Sequence, residues 1–156
     1  MLELRLLIFL SVLSLSIADC PFSWIHFGNF CYLFSNTALD WFSAASSCRE
    51  HDARLAEVDT KEKDAHLRNF ITQFEPDGRY FWIGGRDDEV EGQWKWSSGV
   101  PFSFINWAPG EPTDDRLPGD EDCLFLYRTG WFDQYCTRPE YYICEKEFSE
   151  SGGIVG

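Results

Sequence analysis

Two hydrophobic periods alternate along the chain. Over residues 20–34, aromatic and polar positions alternate, with Trp24 and His26 before Gly28-Asn29 and Tyr32 and Phe34 after it. That pattern predicts a hairpin turning at Gly28-Asn29. Asp40 stands where a helix cap belongs, ahead of a segment running to about His51 with Ala44, Ala45 and Cys48 on one side. Residues 53–58 alternate again and predict a short strand. Thr60 caps a second helix whose apolar positions Leu67, Phe70, Ile71 and Phe74 fall at i, i+3, i+4 and i+7, and Pro76-Asp77-Gly78 ends it. Residues 80–84 read as a buried strand, and residues 124–127, 130–132 and 141–144 as closing strands.

Between Arg86 and Asp122 the periodicity stops. This stretch is rich in Gly, Pro, Asp, Glu and Ser, with Trp94, Trp96, Phe102, Phe104 and Trp107 spaced through it. An irregular segment of this length is normally functional or disordered, and five anchoring aromatics argue for order. The chain from Glu145 to Gly156 reads as loose, with the domain drawn at residues 19–148 and a flexible tail at 149–156. The fold class is α+β, with two helices, small antiparallel sheets and one long loop region.

The first eighteen residues stand apart. Arg5 precedes an apolar run from Leu6 to Ile17 interrupted only by serines, and Ser16 and Ala18 are small residues ahead of Asp19. This reads as a secretory leader at 1–18, because the run is too short for the ~20 residues that cross a bilayer. Secretion gives the six cysteines (Cys20, Cys31, Cys48, Cys123, Cys136 and Cys144) an oxidising compartment, and their even number points to three disulfides. Spacing alone leaves the connectivity open.

Composition sharpens this picture. The net charge is −13 and the pI about 4.5, so nothing supplies the basic footprint that a nucleic acid needs. Aromatic residues make up 17% of the chain, enough ring area to offset ordering entropy and exclude a disordered acidic chain. Six of the twelve residues at 111–122 are acidic and only Arg116 is basic. Carboxylates this close repel one another, and a divalent cation relieves the repulsion. Calcium suits irregular loops best, since it accepts six to eight oxygens in flexible geometry. The segment lacks the ligand pattern of an EF-hand loop.

A set of motifs then resembles the C-type lectin-like domain family. They are Trp82-Ile83-Gly84, Glu91-Gly92-Gln93-Trp94, Trp107 ahead of Glu111-Pro112-Thr113, Glu121-Asp122-Cys123, and Trp131-Phe132-Asp133-Gln134-Tyr135-Cys136. The match covers Cys20 to Cys144, and the opening cysteine pair is similar to the long form with an extra N-terminal hairpin, as in small secreted invertebrate lectins of the perlucin type. The resemblance implies the pairings Cys20–Cys31, Cys48–Cys144 and Cys123–Cys136. It implies a structural calcium site on Asp87, Glu91, Asp114 and Asp122 with a contribution from Glu121, and a cis Glu111-Pro112 bond. It also implies a second calcium site, which binds sugar in the family, on Glu111, Glu121 and Asp133.

Two positions of that second site depart from the family pattern. Thr113 and Phe132 both stand where the family has Asn. Vicinal sugar hydroxyls there coordinate the ion, donate to carboxylates and accept from amides, so both replacements remove donors. Thr113 returns one hydroxyl. Phe132 can only stack an apolar sugar face or pack inward. The candidate carbohydrate-binding residues are therefore Glu111, Thr113, Glu121, Phe132 and Asp133, with Glu before the proline resembling the mannose-type order. The tryptophans read as core beneath the loop more than as sugar platforms.

The resulting expectation is a secreted calcium-dependent lectin for glycans, with recognition of microbial surfaces in innate defence as the family's suggestion. The alternative is a lectin-like domain that binds protein or mineral without calcium-bridged sugar. Catalysis is not expected, because His26, His51 and His66 are dispersed and the acids are accounted for by ion sites. No heptad stalk is present, which leaves a non-covalent homodimer as the oligomer to consider.

Overall fold

The computed structural model of the chain describes residues 19–75, 77–113 and 121–148. The expected leader and tail lie outside these residues.

Local signals set both helices. Asp40 accepts from the Ser43 amide at 3.0 Å and from its hydroxyl at 2.6 Å, and α1 (Trp41–Glu50) follows. Trp41, Ala44, Ala45 and Cys48 form its buried face. Thr60 accepts from the Lys63 amide at 3.2 Å and starts α2 (Lys61–Phe74). The buried stripe of α2 is narrower than its apolar pattern. Leu67 and Ile71 are buried, Phe70 is half-buried against Phe34, and Phe74 is exposed. Lys63 and Asp64 are buried on the same helix.

Eight strands follow in chain order: β1 (Ile25–Phe27), β2 (Phe30–Phe34), β3 (Arg54–Leu55), β4 (Phe81–Arg86), β5 (Lys95–Trp96), β6 (Cys123–Tyr127), β7 (Gly130–Gln134) and β8 (Tyr141–Glu147). They pair in the order β1-β2-β8-β4-β6-β7, with β3 on β8 and β5 on β4. The hairpin turns where expected, at Gly28, whose φ of 59° suits a residue without a Cβ. The sheet is mixed rather than purely antiparallel, since β4 runs parallel to β8. The expected strand at 53–58 shortens to two residues for a related reason. Ala56 donates to the Ile143 carbonyl and accepts from the Gly84 amide, so the chain there bridges β8 and β4.

The loose stretch expected from Glu145 is corrected. β8 continues to Glu147, and the Phe148 amide donates to the Asn29 carbonyl at 2.7 Å. Glu145 is fully buried, accepting from Arg54 at 3.0 Å and facing Lys63 at 3.5 Å. Burial pushes its carboxyl above the ordinary range, and the two cations pull it back. A charged run resembled a solvated tail because its partners lie far away in sequence.

Alternation along the strands divides the core between two faces. Phe81, Ile83, Leu124, Leu126 and Trp131 pack with Leu67 and Ile71 of α2. Trp82, Phe125 and Tyr142 pack with Trp41, Ala44 and Cys48 of α1. The loop aromatics Trp94, Phe102, Phe104 and Trp107 join the first face, so they are core beneath the loop. The disulfides are Cys20–Cys31, Cys48–Cys144 and Cys123–Cys136, the pairings that the family resemblance implies.

Candidate functional site

The site grows from the end of β7. Trp131 and Asp133 point to the α2 face, while Phe132 between them points to the other. Trp131 is fully buried and is surrounded edge-on by Trp96, Phe102, Phe104 and Trp107. The Trp131 amide donates to the Asn106 carbonyl, and the Ala108 amide donates back to the Trp131 carbonyl. The long loop is thereby laid along β7. One further turn, with the Glu111 amide donating to the Ala108 carbonyl, brings Glu111 next to Asp133. The Glu111-Pro112 peptide is cis.

Thr113 joins the acids. Its amide donates to both carboxylate oxygens of Asp133, at 2.8 and 3.0 Å. Its hydroxyl donates to Glu121 at 3.0 Å. Asp133 is buried, and Glu111 and Glu121 are half-buried. Glu111 Oε2 is buried with no hydrogen-bond partner among the described residues. Burial pushes the Glu111 carboxyl up to about 7, helped by the neighbouring Asp133 and by the charge of Glu121. Two carboxylates cannot bond each other, so Glu111 gains a bond to Asp133 only by holding a proton.

Glu111, Thr113, Glu121 and Asp133 are thus brought together. Phe132 is not brought to them. Its ring stacks on Phe125 at 5.3 Å and 18° and meets Tyr80 and Tyr127 edge-on. Asp87, Glu91 and Asp122 lie at the other end of the loop. The Asp87 amide donates to the Asp122 carbonyl at 3.2 Å, and Asp87 Oδ2 accepts from the Gly92 amide at 2.9 Å. Asp87 is buried and Glu91 is exposed in the turn beside it. Asp114 lies outside the described residues.

Among the described residues no three acidic, His or Cys side chains are already drawn into a metal-holding set. The fit to calcium rests instead on donor chemistry. A buried carboxylate oxygen without a hydrogen-bond partner, beside a second buried carboxylate, is the hard-oxygen chemistry that calcium takes.

One positioning residue carried no motif. Asp64 on α2 accepts from the Trp131 indole at 2.8 Å, from Asn106 at 2.8 Å and from Arg68 at 2.8 Å. It ties helix, loop and β7 at one point. The sequence held a signal, because Asp64 falls three residues before Leu67 and seven before Ile71, in register with the apolar stripe.

Comparison with known proteins fits this architecture. The model of the lectin C-type domain matches residues 37–146, well over half of the chain. Perlucin of Haliotis laevigata is 34% identical over 132 residues, which cover 82% of this chain and 83% of that one. C-type lectin domain family 10 member A of Homo sapiens is also 34% identical over 81% of this chain, which spans only 40% of that longer relative. Among solved structures, the cow C-type carbohydrate-recognition domain of CD23, in the presence of GlcNAc2Man3 oligosaccharide, superposes with a TM-score of 0.74. Its identity is 30%, over 85% of this chain and 98% of that one. The chain belongs to the C-type lectin domain family, a family of non-enzymatic carbohydrate-binding proteins.

Proposed function

We propose that this chain is a secreted lectin that binds glycans through calcium held by Glu111, Glu121 and Asp133. A second ion sits on Asp87, Glu91, Asp114 and Asp122 with Glu121 contributing. The observation that carries the reading is the convergence of Glu111 and Asp133 around Thr113, with a buried Glu111 oxygen awaiting a partner. When bound, calcium supplies the missing charge and open positions for two sugar hydroxyls. Asp133 holds the loop backbone at Thr113, and Thr113 orients Glu121. Glu111 and Glu121 accept from the hydroxyls of the sugar. The order Glu111 before Pro112 favours mannose-type hydroxyl geometry, and microbial surface glycans are the class a defence lectin meets.

A second reading draws on two observations. Phe132 is packed on Phe125, and the Thr113 hydroxyl proton is spent on Glu121. Both reduce the donors offered to a sugar, which favours a lectin-like domain that engages protein or mineral instead. A glycan array with calcium and with chelator, beside calcium calorimetry, separates the two. The lectin reading expects at least one bound calcium and chelator-sensitive glycan signal. Signal that survives chelation overturns the calcium-bridged mechanism, and no signal on any glycan favours the second reading.

A further inference from the structure

A cavity of about 470 Å³ opens on the α1 side of the sheet, with Trp41, Phe42, Ser46, Arg49, Arg54 and Arg86 in its wall. The chain has only 13 Lys and Arg against 26 Asp and Glu, yet three arginines line this cavity and no acid does. The contrast with a neighbouring cavity under the N-terminal hairpin is direct. That one mixes Asp19, Asp52, Glu145 and Glu147 with Arg54 and Lys146. Carboxylates stand behind this wall, where Glu145 and Glu57 face Arg54 and the lining Ser98 donates to Glu57.

We propose that this cleft is a second ligand site, taking a sugar unit that bears a sulfate or carboxylate group. Arg86 lies over Trp41 at 4.7 Å and over Phe42 at 5.6 Å. A guanidinium stacked on a ring keeps its N–H edges available for in-plane bonds, the arrangement that recognises oxyanions. Arg86 spends one nitrogen on Asp88, and Arg54 is engaged by Glu145, so these two are partly neutralised while retaining donors. Arg49 supplies the uncompensated charge. It is exposed and, among the described residues, its side chain bonds only to Ser46, at 2.7 Å. Ser46 accepts there, which leaves its own hydroxyl proton to donate to a ligand.

The apolar wall decides the rest of the ligand. Trp41 is buried and anchored by its indole donating to the Ile83 carbonyl at 2.9 Å. Phe42, by contrast, leaves half of its surface in water at the rim. A ring of that kind stacks the apolar face of a sugar, whereas a bare inorganic anion has no use for it. The volume suits one or two sugar units. None of Glu111, Thr113, Glu121 and Asp133 lines the cleft, so this site stands or falls apart from the calcium ion proposed on those residues.

The test is a titration of the full chain with N-acetylglucosamine 6-sulfate, with unsulfated N-acetylglucosamine as the neutral probe. Both are followed by amide and indole NMR in calcium-free buffer. Saturable shifts at the Trp41 indole with the sulfated sugar only are expected. Arg49→Gln should weaken that binding by roughly tenfold or more, the loss expected for one hydrogen bond to a charged group. Arg86→Lys should also weaken it by losing the stacked fork, and Asp133→Asn should leave it unchanged. Because Arg49 is exposed and its side chain, among the described residues, bonds only to Ser46, its variant keeps the fold. Equal response to the neutral sugar, no response at all, or binding unaffected by Arg49→Gln overturns the proposal.

Discussion

The indole N–H of Trp131 donates to Oδ1 of Asp64 at 2.8 Å, and both residues are buried. The strand that carries Asp133 is therefore fixed by a carboxylate of the helix packed against that face. Asp64→Ala leaves the Trp131 indole, Asn106 and Arg68 without this acceptor. Removing one partner of a buried charge network costs about 3–5 kcal/mol. Urea unfolding should show a midpoint shift of that size, and Asp64→Asn, which keeps one acceptor oxygen, a smaller one.

Gly85 is held without a side chain by packing. A Cβ there would lie 2.6 Å from Phe102 Cζ and 2.7 Å from Leu124 Cδ2. Gly85→Ala is expected to destabilise by about 1–3 kcal/mol through overpacking. Because Phe102 packs against Trp94, Trp96 and Trp131, tryptophan fluorescence should change along with the melting temperature.

Asp40 gives a pH prediction. Its bonds from the Ser43 hydroxyl and amide hold its carboxyl below the ordinary range. A lowered folded-state value means the contribution is present above the unfolded value and lost as pH falls through the folded one. Asp40→Ala should cost about 1 kcal/mol near neutral pH. The difference between variant and parent should close in acid, read from paired thermal melts across the pH series.

On the proposed calcium reading, Glu111→Gln removes one charged ligand while preserving shape. Calcium affinity should fall by at least about tenfold, measured by calorimetry. Unchanged affinity would place the bound ion away from Glu111. The apo protein should be no less stable in this variant, since a neutral amide relieves the repulsion from Asp133 and Glu121.

Much of the architecture was legible because local signals coincide with global needs. Asp40 and Thr60 cap the helices that the sequence pattern assigns to them, and the Gly28 turn closes the first hairpin. The acids around Thr113 were legible through motif order. What escaped shares one physical cause, in that it depends on partners distant along the chain. Glu145 reads as tail until Arg54 and Lys63 are found beside it. Phe132 reads as a site residue until alternation along β7 turns its ring toward Phe125. The arginine cleft draws Arg49, Arg54 and Arg86 from a helix and two strands, and no spacing in sequence announces it.

The strand order has an architectural consequence. The chain enters the sheet on β1 and leaves on β8, joined through β2, and the Phe148 amide ties the exit to the first hairpin at Asn29. Asp133 rides on β7, at the far edge of the same sheet. A tether or neighbouring module attached at either end of the domain would thus leave from the β1-β2-β8 side and keep clear of the β7 edge. The domain is wired like a plug with its leads at the back, so it can be spliced into a longer polypeptide without rewiring the loop.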